Sequence, residues 1–146
     1  MFAPEVTAVY QTHLFPLATL ITPNRREAEL LSGMEIADVT GAETAVSKIH
    51  NSGAQNILLK SIPHEDGLVD ILSDGAAITH FTTPKIETNN THGSGDTLSA
   101  AICAFLATGE GLETAVAKAQ TFTHNAIRQA VHLQLGAGHG PVWHAK

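Results

Sequence analysis

The stretch Thr91-His92-Gly93-Ser94-Gly95-Asp96-Thr97-Leu98-Ser99-Ala100 constrains this chain most, because two glycines lead without a break into an apolar helix. Glycine lets a backbone approach its neighbours closely. The first turn of a helix leaves its N–H groups unpaired, with the positive end of the dipole behind them. A helix beginning near Ser94 or Gly95 therefore aims several amides at one spot, which suits an anion. Asp96 is the odd member, since a carboxylate beside such a cradle repels phosphate unless it has separate work. Accepting the proton of an attacking hydroxyl fits, with the N–H groups stabilising a transferring phosphoryl group. Capping of a buried helix by Ser94 or Asp96 explains the same letters. The motif alone does not choose between them.

The totals narrow the classes. A chain of 146 residues has room for a single domain over residues 1–146 with a core of its own. Fourteen acidic residues against eight basic ones give a net charge of −6, and no basic run appears, which argues against a nucleic-acid surface. The single cysteine, Cys103, excludes an internal disulfide framework and suits a reducing cytoplasm. Lying inside the apolar helix, it is expected in the core. The start, Met1-Phe2-Ala3-Pro4-Glu5, lacks the basic and apolar regions of a signal peptide. The most apolar stretch, residues 98–107, is too short to cross a bilayer, so no membrane association is expected. The nine histidines are dispersed and form no His-x-x-x-His pair, so no structural zinc is expected.

Along the chain, residues 5–14 carry apolar side chains near helical spacing and stop at Pro16. Residues 17–22 are a compact apolar run ended by Pro23, which predicts a buried strand. Residues 24–33 predict a helix capped by Asn24 and closed by Gly33. Thr40 with Glu43 reads as the capping box of a further helix, to about Ser52. Residues 56–60 predict a second buried strand, followed by a polar loop over 61–67. Residues 68–73 and 76–82 flank Asp74-Gly75, a hairpin signal. The glycine turn then opens a helix to Thr108, and residues 113–133 form the last, with Ala115, Ala119, Phe122, Ala126 and Ala130 along one side. Residues 136–146 read as a draped tail. This order predicts an α/β layered domain. Only about four strands are visible, few for a doubly wound sheet, so the chain reads as part of a larger fold.

Four blocks now resemble the C-terminal half of the ribokinase-like kinases, in the branch that phosphorylates hydroxymethylpyrimidine and its monophosphate in thiamine biosynthesis. Leu20-Ile21-Thr22-Pro23-Asn24-Arg25-Arg26-Glu27 is similar to that branch's Thr-Pro-Asn-x-x-Glu signature. Thr88-Asn89-Asn90-Thr91-His92-Gly93-Ser94-Gly95, followed by Thr97-Leu98-Ser99-Ala100-Ala101, resembles its anion-hole segment. The helix over 113–128 and the ending Gly138-His139-Gly140-Pro141-Val142 complete the set in order. The resemblance implies a three-layer ribokinase-like fold, C-terminal portion only, with a mostly parallel sheet and a hairpin. The early strands and most of the acceptor pocket would belong to a first half that nothing here resembles. Two departures stand out. Asp96 replaces the cysteine usual in this branch, as in many sugar and pyridoxal kinases, and Lys60-Ser61-Ile62-Pro63-His64 replaces the usual Lys-Gly-Gly-His.

Carried over by position, the resemblance implies Asp96 as catalytic base and Gly93, Ser94 and Gly95 as the anion hole. Lys60, Asn24 and Thr91 would contact ATP. Glu27 and Asn24 would act on Mg²⁺ through its waters, since Mg²⁺ keeps several waters and few protein ligands. Asn24 and Glu27 also have the spacing of a capping box, and both roles can coexist. The implied function is ATP-dependent phosphorylation of a small pyrimidine in the cytoplasm. Pyridoxal kinase activity, or a non-catalytic remnant that at most binds nucleotide, are the alternatives. Homodimerisation or self-association is expected of a chain whose sheet lacks neighbouring strands.

Overall fold

A computed structural model describes residues 4–65 and 67–144. These residues fall into two compact units, Met1–Pro84 and Lys85–Lys146.

The first unit opens with α1 (Pro4–Val9), which continues as a π-turn segment, Tyr10–Leu14, and a 3₁₀ turn, Phe15–Leu17. Pro16 sits early in that 3₁₀ turn. The chain then extends and meets the sheet only through isolated parallel bridges, Ile21 to Ile57 and Asn24 to Lys60. The predicted buried strand over 17–22 is therefore corrected: Leu17 is 82% exposed, and backbone pairing is limited to one edge of the segment. Helix α2 (Arg25–Ser32) follows, closed by Gly33 in the left-handed conformation at φ 66°. Helix α3 (Val39–His50) is capped by Asp38, whose side chain accepts the Gly41 N–H, rather than by the Thr40/Glu43 box the sequence suggests.

Strands β1 (Ile57–His64), β2 (Gly67–Ser73) and β3 (Ile78–Pro84) form an antiparallel sheet in the order β1-β2-β3. The expected mostly parallel sheet is thus not what these residues build. The parallel character is confined to the bridges of the segment around Ile21 and Asn24. The loop expected over 61–67 is largely strand, made possible by a register shift between Leu59 and Ile62. At that shift Ser61 takes a positive φ of 62°, and its N–H donates to Asp70 Oδ1 at 2.7 Å. The Asp74-Gly75 turn forms where expected, with Asp74 Oδ1 accepting the N–H groups of Ala76 and Ala77. Helices α2 and α3 cover the sheet around a core that includes Ala28, Ile36, Val46, Ile49, Ile57 and Ile71. Val9, Leu14, Leu17 and Leu30 remain exposed.

The second unit is a helical hairpin, α4 (Ser94–Ala107) and α5 (Leu112–Ala130), fastened by the residues after it. Leu98 and Ile102 of α4 and Ala115, Val116, Ala119, Ala126 and Ala130 of α5 are buried. Alanine along α5 lets the two helices approach closely. Phe122, expected on the same side, is 46% exposed, and Cys103 lies on an exposed face rather than in the core. The tail expected to be draped is exposed over 136–139 but held to the helices from Gly140 onward. His92 and Pro141 form a parallel bridge, Trp143 N–H donates to the Ala126 carbonyl, and Val142 is buried. Asn90 secures the other side, its Nδ2 donating to the carbonyls of Ala130 and Leu133 at 2.6 and 2.8 Å.

Candidate active site

The residues singled out in the sequence assemble into two groups, one in each unit. In the first unit Asn24, Glu27 and Lys60 come together where the extended segment enters α2. Lys60 N–H donates to the Pro23 carbonyl at 2.9 Å, which sets Lys60 beside the start of the helix. Asn24 and Glu27 form a reciprocal capping box: Asn24 Oδ1 accepts the Glu27 N–H at 3.0 Å, and Glu27 Oε2 accepts the Asn24 N–H at 2.8 Å. One oxygen of each group is thereby engaged, while the second carboxylate oxygen of Glu27 has no hydrogen-bond partner among the described residues. Lys60 is half-buried and stands within β1 rather than closing it. Of the two arginines beside this group, Arg25 pairs with Glu29 at 3.2 Å, a surface ion pair one helical turn apart.

In the second unit the glycine turn builds the start of α4. Gly93 is the residue before the helix and has φ 84°, a left-handed conformation that favours glycine. Ser94 N–H turns back to the Thr91 carbonyl at 3.1 Å, and Thr97 N–H closes on the Gly93 carbonyl at 2.9 Å. The amides of Gly95 and Asp96 have no protein acceptor among the described residues. These two donors, at the positive end of a 14-residue helix, are what the turn offers an anion. The Ser94 amide is spent inside the turn, so Ser94 could contribute only its side chain.

The Asp96 carboxylate is exposed and lines an open groove of about 550 Å³ with Thr97, Ala100, Ala104, Phe122 and His144. Thr91 is exposed at the head of the turn, and His92 uses its backbone to hold the tail, accepting from Val142 N–H at 3.1 Å. His144 is the residue that sequence reasoning passes over. Its Nε2 lies 2.8 Å from Thr97 Oγ1, and its ring stacks on Phe122 with centroids 6.1 Å apart. The two hydrogen-bonded positions are 47 residues apart, so no local spacing could have signalled the contact.

Such a turn, with an exposed carboxylate beside open amides, fits phosphoryl transfer chemistry, and proteins similar to this chain in sequence and fold are named as kinases. The family model described as Phosphomethylpyrimidine kinase matches residues 1–143. The chain is 46% identical over 138 residues to the thiamine biosynthesis bifunctional protein ThiED of Geobacter sulfurreducens, covering 94% of this chain and 28% of that protein. It is 38% identical over 144 residues to a hydroxymethylpyrimidine/phosphomethylpyrimidine kinase of Mycobacterium bovis, covering 97% and 52%. Among solved structures, the ADP complex of Bacillus subtilis pyridoxal kinase superposes with a TM-score of 0.89 at 38% identity, covering 97% of this chain and 53% of that one. The chain spans about half the length of the single-function kinases it matches. A match running through residues 1–143, which includes both the Asn24/Glu27 cap and the glycine turn, makes this chain a member of the phosphomethylpyrimidine kinase family.

Proposed function

We propose that this chain supplies the nucleotide-binding and catalytic side of an ATP-dependent kinase acting on hydroxymethylpyrimidine or its monophosphate. The reading is carried by one observation. At the start of α4 the amides of Gly95 and Asp96 lack protein acceptors among the described residues, and the exposed Asp96 carboxylate stands beside them. In the proposed reaction those amides hold the transferring phosphoryl oxygens, while Asp96 takes the proton of the attacking hydroxymethyl group. Lys60, Asn24 and Thr91 contribute contacts to ATP.

Asn24 and Glu27 suit Mg²⁺. Their donors are hard oxygens, and the carboxylate oxygen outside the capping box can accept from a metal-bound water. Mg²⁺, when bound, would neutralise phosphate charge. The family resemblance assigns the acceptor pocket to the half of the relatives that this chain does not match. Turnover is therefore expected once that half is present. The lone Cys103 supports a cytoplasmic setting.

A second reading has its own support. Asp96 stands where the pyrimidine branch usually carries cysteine, and a pyridoxal kinase structure superposes closely, so pyridoxal is the competing acceptor. The deciding experiment measures ATP–Mg²⁺-dependent phosphorylation of hydroxymethylpyrimidine, its monophosphate and pyridoxal, by the chain alone and with the complementary half of a relative. Pyrimidine turnover that Asp96→Asn removes supports the proposal. Turnover of pyridoxal alone moves the assignment, and saturable ADP binding without any turnover leaves a nucleotide-binding remnant.

A further inference from the structure

Thr97 makes two hydrogen-bond contacts with one hydroxyl. Its Oγ1 lies 2.8 Å from the Gly93 carbonyl oxygen and 2.8 Å from His144 Nε2. Two oxygens that close repel unless a proton lies between them, so the single hydroxyl proton goes to Gly93. The contact to His144 then needs a proton from the ring, which makes Nε2 the protonated nitrogen. The relay runs from His144 Nε2–H to Thr97 Oγ1 and from Thr97 Oγ1–H to the Gly93 carbonyl. Near-parallel stacking on Phe122, at 14° between ring planes, fixes the plane of the imidazole. His144 lines the same groove as Asp96.

The end point of the relay is informative. The Gly93 carbonyl belongs to the peptide plane that carries the Ser94 N–H, which is held by Thr91. Anchored from both sides, that plane sets the direction in which the next amides leave the turn. We propose that His144 is a positioning residue of the glycine turn, acting through Thr97 to orient the open amides of Gly95 and Asp96. The inference rests on reading that turn as the phosphate site. Preorganised donors act only when aimed at the place where charge gathers, so a group holding their direction contributes without touching the ligand.

The test uses the whole chain. Nitrogen-15 NMR of the His144 ring is expected to show the Nε2–H tautomer of the neutral imidazole; the Nδ1–H tautomer overturns the inference. His144→Phe keeps a flat ring against Phe122 but removes the donor, and Thr97→Val removes the hydroxyl at nearly constant shape. Both are expected to move the amide resonances of Gly95 and Asp96. Each should weaken Mg²⁺–ADP binding by roughly two- to tenfold, the loss of one ordinary hydrogen bond. His144→Gln, which restores an N–H donor, is expected to recover part of both. If His144→Phe leaves the amides and the affinity as in the unaltered chain, the ring acts by packing alone and the inference fails. A chain that binds no Mg²⁺–ADP defeats the nucleotide reading separately. The tautomer and the amide resonances would still decide the role of His144.

Discussion

A β-carbon on Gly140 would fall on the side-chain amide of Asn90, within 2.6 Å of its Cγ. The close approach follows from the work Asn90 does, since its Nδ2 ties the Ala130 and Leu133 carbonyls and leaves the amide no room to swing away. Gly140→Ala is therefore expected to destabilise the second unit by about 1–3 kcal/mol, the usual cost of overpacking a tight site. Asn90→Ala should cost a similar amount by leaving the Leu133 carbonyl without its donor and the Ala130 carbonyl with only the Leu133 N–H. Denaturant unfolding followed by Trp143 fluorescence measures both, and an unchanged midpoint for Gly140→Ala would show that the tail yields.

Asp96 carries the chemistry if the proposed function is right. Its carboxylate is exposed and makes no hydrogen bond among the described residues, so Asp96→Asn should leave stability close to that of the unaltered chain. In an assembled enzyme, phosphoryl transfer should fall by about 10²–10⁴-fold, the range for loss of a general base. Mg²⁺–ADP affinity should change little. A rate within a few-fold of the parent would remove Asp96 from the proton-transfer step.

Glu27 can be separated from its capping role by a single atom. Glutamine can complete the same box, so Glu27→Gln should preserve helix α2 and the melting temperature. If the proposed Mg²⁺ role holds, it should nonetheless raise the Mg²⁺ concentration needed for nucleotide binding, because the charge that would face the metal's waters is gone. Asn24→Ala breaks the cap itself and should cost about 1 kcal/mol. Equal Mg²⁺ dependence in the parent and Glu27→Gln would leave the residue a purely structural cap.

Acid stability should depend on the hairpin turn. The N–H groups of Ala77 and Ala76, in that order, hold the Asp74 carboxyl below its ordinary range, against a smaller opposing effect of desolvation. Glu29 is lowered too, first by the Ile36 N–H, with partial burial opposing and Arg25 assisting. A carboxyl lowered in the folded state binds fewer protons there than in the unfolded chain. Its contribution is complete above the unfolded value of about 4 and is lost as the pH falls through the folded one. Unfolding measured across that acid limb should steepen for the parent and flatten for Asp74→Ala. Parallel profiles would mean that the turn carboxylate does not couple to folding.

Cys103 offers a simple check on the helical hairpin. Its side chain is exposed, so a thiol reagent should label it in the native protein without denaturant. Protection until unfolding would place it in a core instead.

The elements written into local chemistry were legible in the sequence. Asn24 and Gly33 marked both ends of α2, Asp74-Gly75 marked its hairpin, and the glycine turn marked the start of α4. What escaped depends on contacts between distant residues. The apolar run over 17–22 looked like a buried strand, but Leu17 ends a 3₁₀ turn and the backbone meets β1 only over residues 21–24 among those described. A strand over 61–64 was hidden by Ser61 and Pro63, whose irregularity is absorbed where the register shifts. Cys103 and Phe122 had the right hydrophobicity for a core, but a two-helix unit buries only the facing stripes. At the candidate site the types and order of residues could be read. The free amides of Gly95 and Asp96, the engaged amide of Ser94 and the His144 contact needed the geometry.

The bridge from His92 to Pro141 also sets an order of events during synthesis. The loop that would grip phosphate is encoded near residue 92, but its braces at residues 141–144 are translated only after both helices. Until those last braces leave the ribosome, the turn has no tail to bridge with and no imidazole to bond Thr97. A nascent chain should therefore acquire its helices first and its grip on phosphate last.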